Sequence, residues 1–411
     1  MSRVLLLGDT GDGGFAALRT RHFAAVLPGA SVLDWRESVT DRAVQLSPDV
    51  VVTAGNHGPT RAAMRVLDAL AAAGLPEPAF WLDVAGDPFA EAQAAAHATG
   101  AVAAEVAAEA QLVWGAAYAR ADAFSSVCEP GRSALLGALG LLGRLPLFRP
   151  GEEACSVIPC ATDFPDEPGP ARPPGLRVAL LGGFNTWFDD TTLLAGLLLA
   201  MDRGPVEVRV FGGAIPGHTT EGYARFTAGA AASRHAARFR FHPWVPHSTL
   251  AEHLADCHVS VCLDRAGPEA GLGARTRVLY ALHRGLRVLA TPGSPIVGEL
   301  VDAGLVEPLP AAHVVGDAAA AEALAAALLR PVGAPPKGAR RAWMADRTAD
   351  RLGTPLRSWA LSPARLPPAP AATVLAGALA ERDRALAELQ RHRATPTFRL
   401  MAGLHGLVKR G

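Results

Sequence analysis

A short apolar run that ends in glycine opens this chain, Val4-Leu5-Leu6-Leu7-Gly8, and a second, Leu176-Arg177-Val178-Ala179-Leu180-Leu181-Gly182-Gly183, reopens it near the middle. Each copy leads into β-branched runs that alternate with alanine-rich stretches, the rhythm of a parallel sheet with helices between its strands. In the first half Arg3–Leu7, Ser31–Trp35, Asp49–Thr53 and Ala79–Val84 read as strands. Helices are expected over Thr60–Ala73, where Ala, Met, Val and Leu recur at helical spacing, over Pro88–Ala110, and from Pro130 through Leu142. The stretch 165–174 is too rich in proline to join helix or sheet. After it, strands are expected at Val206–Phe211, Phe239–Pro243, Val259–Leu263 and Arg287–Thr291, with a helix from about Asp189 to Met201. The pattern predicts two similar doubly wound α/β domains in tandem: residues 1–164, a linker at 165–174, and residues 175–330. A proline-rich crossover and helical tail at 331–411 complete the chain. Ligands of such folds sit beyond the carboxyl ends of strands, and the cleft between two domains is the default site.

Composition narrows the function classes. The 411 residues are 50% hydrophobic, and 39 Lys and Arg balance 39 Asp and Glu. That allows roughly two or three full-sized cores at ~150 residues each and excludes a disordered chain. A balanced charge argues against a nucleic-acid binder, which needs a basic surplus, and an aromatic share of 6% argues against a base-stacking surface. No apolar run is long enough to span a bilayer, and the apolar stretch after Met1 is too short for a signal peptide, so a cytoplasmic location is expected. The cysteines at 128, 155, 160, 257 and 262 form no CxxC pair or disulfide framework and read as ordinary reduced thiols.

Several predicted strand ends carry glycine or polar punctuation. The first loop, Gly8-Asp9-Thr10-Gly11-Asp12-Gly13-Gly14, departs from G-x-G-x-x-G, and its aspartates would repel a pyrophosphate. A tight turn that admits a sugar or acceptor, or a plain turn, fits it better. Gly182-Gly183-Phe184-Asn185-Thr186-Trp187-Phe188-Asp189-Asp190 is more informative. Two glycines and polar Asn185 and Thr186 precede a helix that Asp189 or Asp190 can cap, and helix N–H groups favour a diphosphate. Gly213 and His218 lie in the next glycine loop, Trp244 and Val245 in a turn after the following strand, and Asp264 after the one beyond. Arg275 and Arg277 stand two apart at a helix start, so at most one of them is expected to reach a phosphate directly.

In the order GGFNTWFDD, FGGAIPGH, FHPWVPHSTLAEHLADCHVSV and ARTRVLYALHRGLRVLATPG, the segment from about Leu176 to Leu305 resembles the nucleotide-sugar half of a GT-B glycosyltransferase of the family-4 type. The resemblance implies two Rossmann-like domains facing a cleft and a nucleoside diphosphate sugar gripped by the second. It places Gly183, Asn185 and Arg275 or Arg277 near the diphosphate and Trp244 and Val245 beside the base. Thr186, Trp187, Gly213, His218, Asp264 and Ser294 join them as donor-side candidates. Gly13, Gly14, His57 and Asp87 would face the cleft from the acceptor side. Departures stand beside the likeness. Tyr280 occupies the place of an acidic residue five before Gly285, Arg287 that of a proline, Ser294 that of a further acid, and a first-loop lysine is missing.

Glycosyl transfer builds charge on the leaving diphosphate, which a protein can meet with a metal or with fixed positive groups. No D-x-D occurs at a predicted strand end. A metal-independent, cofactor-free site is therefore expected, using helix N–H groups with Arg275 and Arg277. Asp87 or His57 would act as base toward the acceptor hydroxyl, if either is more than a turn residue. The expected partners are a nucleotide sugar and a sugar, lipid-linked or small-molecule acceptor. Two alternatives remain: a degenerate partner or scaffold subunit, and a nucleotide-sugar epimerase. Two readings also stay open for the basic, amphipathic end Phe398–Arg410. It would make a peripheral membrane contact, or it would fold back on the body or fray.

Overall fold

The computed structural model describes residues 2–99, 103–164, 174–215, 220–311, 316–331, 333–367, 369 and 372–395. The first sheet contains β1 (Val4–Gly8), β2 (Ser31–Asp34), β3 (Val50–Thr53), β4 (Ala79–Val84), β5 (Ala123–Ser126) and β6 (Cys155–Val157). They run parallel in the order β2-β1-β3-β4-β5-β6. The second contains β7 (Leu176–Gly183), β8 (Val206–Gly213), β9 (Phe239–His242), β10 (Val259–Cys262), β11 (Arg287–Ala290) and β12 (Glu307–Pro308), parallel in the order β12-β11-β10-β7-β8-β9. Each sheet is buried on both faces by helices, which is why its inner strands, such as Leu5-Leu6-Leu7 and Val50-Val51-Val52, read as unbroken apolar runs. In both sheets the order reverses beside the first strand, so the loops after β1 and β7 open at the switch point where such folds take ligands.

The strands anticipated from the sequence match within a residue or two. The alanine-rich stretch after Pro88 differs: it forms two helices, Pro88–Thr99 and Ala103–Arg120, instead of one. Alanine favours helix without marking a face, so composition alone did not show the break.

The tail returns to the first half. Ala349, Leu356 and Ala360 enter one apolar cluster with Leu6, Phe23, Val26 and Trp81, and the Trp359 ring meets Trp81 edge-on at 5.3 Å. Leu375 and Leu379 of the helix Ala372–Ala394 pack on the core beside Trp114. The described part of the tail is thus folded back on the body, and Phe398–Arg410 lie outside the described residues. No helix among the described residues is long and apolar enough to cross a membrane.

Candidate functional site

A cavity of about 660 Å³ lies between the two sheets' domains. Thr186, Trp187 and Glu269 line it from the second domain, and Phe89, Ala92 and Ala96 face them from the helix Pro88–Thr99. The domains also touch through their loops. The His247 amide donates to the Asp12 carbonyl at 2.7 Å, and the Ser248 hydroxyl donates to the Asp12 carboxylate, which holds that carboxyl below its ordinary range.

On the second domain, β7 runs into the turn that precedes the helix Asp190–Arg203. Gly182 sits at φ +82°, a conformation that favours glycine, and the Arg277 guanidinium lies against its α-carbon. Arg277 Nη2 donates to the Gly183 carbonyl at 3.0 Å, close to the Asn185 side chain, and the guanidinium stands 5.4 Å from the Phe188 ring centre. Asp189 caps the following helix, its Oδ1 accepting from the Thr192 amide at 3.1 Å. Asp190 pairs with both Arg225 and Arg265. Asp189 thus caps this helix as the sequence suggested, and Asp190 is paired with two arginines beside it. The helix Thr276–His283 instead starts with no side-chain cap, and Arg277 lies in its first turn.

Arg275 and Arg277 part company. Arg275 is buried between two acids: Nε donates to Asp264, and Nη2 donates to Glu269 Oε2 at 2.6 Å. That pairing turns Arg275 and Asp264 toward each other, whereas Arg277 donates to the glycine turn. One guanidinium cannot neutralise two carboxylates. Burial and the nearby Asp264 push Glu269 up to about 7, while the two acids drive Arg275 above its ordinary range. The raised acid has a sign for stability. The protonated form stabilises the fold at acid pH, and that contribution is lost as pH rises through about 7. Melting curves from about pH 5 to about pH 8 are expected to show the second domain losing stability in the wild type and much less in Glu269→Gln. Equal pH slopes for the two proteins would contradict the assignment.

The remaining candidates divide. Thr186 is buried with its hydroxyl unpartnered at the cavity wall. Trp187 lines the same wall, 5.8 Å from Arg275. Trp244 donates its indole N–H to the Ala214 carbonyl at 2.8 Å, and a side chain on Gly13 would meet the Val245 carbonyl at 3.9 Å. The Trp244–Val245 turn and the first glycine loop therefore adjoin across the domain boundary. Gly213 sits at φ +130°, and Tyr223 packs where a side chain on it would project. Ser294 caps the helix Pro295–Asp302, its side chain accepting from the Val297 amide. Tyr280 is buried edge-on against Phe164 at 5.2 Å and near His247 at 5.5 Å, so an aromatic contact fills the place where an acid was expected. His218 lies outside the described residues.

In the first domain the glycine loop spends its amides on its own acids. The Gly11 amide donates to Asp9 at 2.8 Å and the Thr10 amide to Asp34 at 3.0 Å, while Gly13 is the N-cap of the helix Gly14–Val26 and gives it no side-chain cap. Asp87 caps the helix Pro88–Thr99, with Oδ1 accepting from the Ala90 amide at 2.7 Å, and burial raises its pKa. His57 Nδ1 accepts from the Trp114 indole at 3.2 Å, which leaves the proton on Nε2, facing Glu91 at 3.2 Å. Both ring nitrogens are engaged, so His57 offers no lone pair to an acceptor hydroxyl in this arrangement. Glu91, which the sequence reading did not name, joins Asn56 and His57 through its two oxygens and adds its charge to the surroundings of Glu269. Its only sequence signal is its place one helical turn after Asp87. Among the described residues no group of three or more His, Cys, Asp or Glu is arranged to hold a metal ion.

No protein-family model and no curated protein sequence matches the chain. Solved structures do match in shape. The Anabaena protein HepE in complex with UDP-glucose superposes with a TM-score of 0.54 at 14% identity, covering 94% of this chain and 100% of that one. Sucrose-phosphate synthase from Thermosynechococcus elongatus gives 0.52 at 14%, covering 95% and 100%. AviGT4, a glycosyltransferase involved in avilamycin A biosynthesis, gives 0.51 at 14%, covering 89% and 100%. The chain thus shares the two-domain GT-B fold of these proteins across nearly its whole length.

Proposed function

We propose that this GT-B chain is a glycosyltransferase that moves a sugar from a nucleoside diphosphate sugar to an acceptor hydroxyl held in the interdomain cavity. The observation that carries the reading is Arg277. Its guanidinium reaches Gly183 beside Asn185 at the uncapped start of the helix Thr276–His283. A diphosphate laid there would meet main-chain N–H groups, the positive end of a helix dipole and a fixed cation, all at the atoms where charge grows as the anomeric bond breaks. The proposed transfer uses these fixed positive groups in the place of a metal ion. Thr186 and Trp187, next along the same turn, would then hold the sugar at the cavity wall.

The test is calorimetric titration of the full chain with UDP and GDP. One of them is expected to bind, and Arg277→Ala to weaken it at least about tenfold, ~1.4 kcal/mol, with the melting temperature unchanged because the side chain is only half-buried. Absence of nucleoside diphosphate binding by the unaltered chain would end the transferase reading. The packing of Tyr280 favours one second reading, a nucleotide-binding partner subunit without turnover. Bound nucleotide together with sugar release no faster than in buffer would select it.

A further inference from the structure

We infer that the interdomain cavity takes an acceptor with an apolar body, an aromatic or hydrocarbon-bearing alcohol, and discriminates against an unmodified sugar. The inference rests on the transferase reading for its chemistry, but the binding surface itself stands on the cavity wall. Phe89, Ala92 and Ala96 recur at helical spacing along one face of Pro88–Thr99, and Ala107 extends that strip from the neighbouring helix. Gln93 and His97 lie at its exposed edge. The strip offers a ligand methyl groups and one aromatic side chain but no donor or acceptor.

A hexose presents a hydroxyl on almost every carbon. Each one pressed against such a wall without a partner weakens binding by a factor of about five or more. An apolar body gains from the same contact. The short alanine side chains leave the volume beside the helix open, and the second domain contributes Arg265, Glu269 and Thr186, whose hydroxyl is buried without a partner, to the same cavity. An alcohol laid with its body on the strip would therefore turn its hydroxyl toward the donor side. In the transfer step the acceptor oxygen bonds to the anomeric carbon as the bond from that carbon to the diphosphate oxygen breaks. The electron pair leaves with the nucleoside diphosphate, which also takes up the hydroxyl proton.

Two arms test the inference on the full chain. In the first, binding of 2-naphthol and of dispersed geranylgeraniol is compared with binding of methyl glucoside, with no nucleotide present. At least one apolar alcohol is expected to bind at least tenfold more tightly than the glucoside, and Ala92→Glu, at a half-buried position, is expected to abolish that preference while melting as the wild type does. The alcohol that wins separates a free aromatic acceptor from a lipid carrier. Equal binding of the three, or a preference that Ala92→Glu leaves intact, would overturn the inference and leave the strip as an interdomain packing face only. In the second arm, nucleoside diphosphate release from UDP-glucose, UDP-galactose and GDP-mannose is followed with each alcohol. The preferred alcohol is expected to raise release from one donor at least tenfold over methyl glucoside, and greater stimulation by the glucoside would overturn the inference. Failure to bind any nucleotide would strike the transferase reading alone, because the first arm does not depend on it.

Discussion

Arg275→Ala is expected to lower the melting temperature of the second domain by about 10 °C. The substitution strips the one cation from Asp264 and Glu269, both almost completely buried. Removing one partner of a buried ion pair costs about 3–5 kcal/mol, and for a domain of this size each kcal/mol shifts the midpoint by ~2–4 °C. Calorimetric melting of the two proteins checks the value. A triple variant, Arg275→Met with Asp264→Asn and Glu269→Gln, is expected to recover most of the loss, because no isolated charge then remains inside. A single variant that melts within about a degree of the wild type would mean that the network opens to water. Arg277→Ala, two residues away, makes the contrast: affinity for nucleotide falls while stability holds.

The first domain carries a comparable liability at Arg19. Its Nη2 donates to Asp83 Oδ1 at 2.7 Å and its Nε to Oδ2 at 3.0 Å, while Nη1 reaches the Ile158 carbonyl at 2.8 Å. Asp83 in turn accepts from the Ser125 hydroxyl at 2.7 Å and the Gly55 amide at 3.1 Å. This cluster ties the helix Gly14–Val26 to the ends of β3, β4 and β5 and to the chain after β6. Arg19→Ala is expected to cost about 3–5 kcal/mol by leaving Asp83 unpaired. In a cycle with Asp83→Ala, the double variant is expected to lose less than the sum of the two singles. Chemical denaturation measures all three, and strict additivity would show that the pair does not act as a unit.

The two networks also show where a sequence stops being readable. The strands at Leu5-Leu6-Leu7 and Val50-Val51-Val52 declare themselves because burial on both faces demands apolar side chains throughout. By contrast, β5 is Ala-Phe-Ser-Ser, and its serines are tolerated only because Ser125 bonds to Asp83 and accepts the Trp81 indole N–H at 2.9 Å. Nothing near Ser125 in the chain announces partners so distant. The second-domain glycine turn after a strand was legible, as was the cap at Asp189. Which arginine faces the turn was not: Arg275 occupies the non-helical residue before Thr276, and that backbone turns it inward onto two acids. Glu269 sits in a short helix with no periodic pattern, and Glu91 matters through Asn56 and His57, which reach it from another strand end. Spacing rules describe neighbours along an element, whereas these contacts are made across elements.

The return of residues 349–360 to the core beside Trp81 bears on the order of events during synthesis. A chain leaves the ribosome from its amino end, and a domain can close once the residues of its core have emerged. Here the first half lacks Ala349, Leu356 and Ala360 until the whole second half has been made. Its sheet must wait, partly open on that face, so a chaperone that shields the nascent first half is the helper this topology calls for.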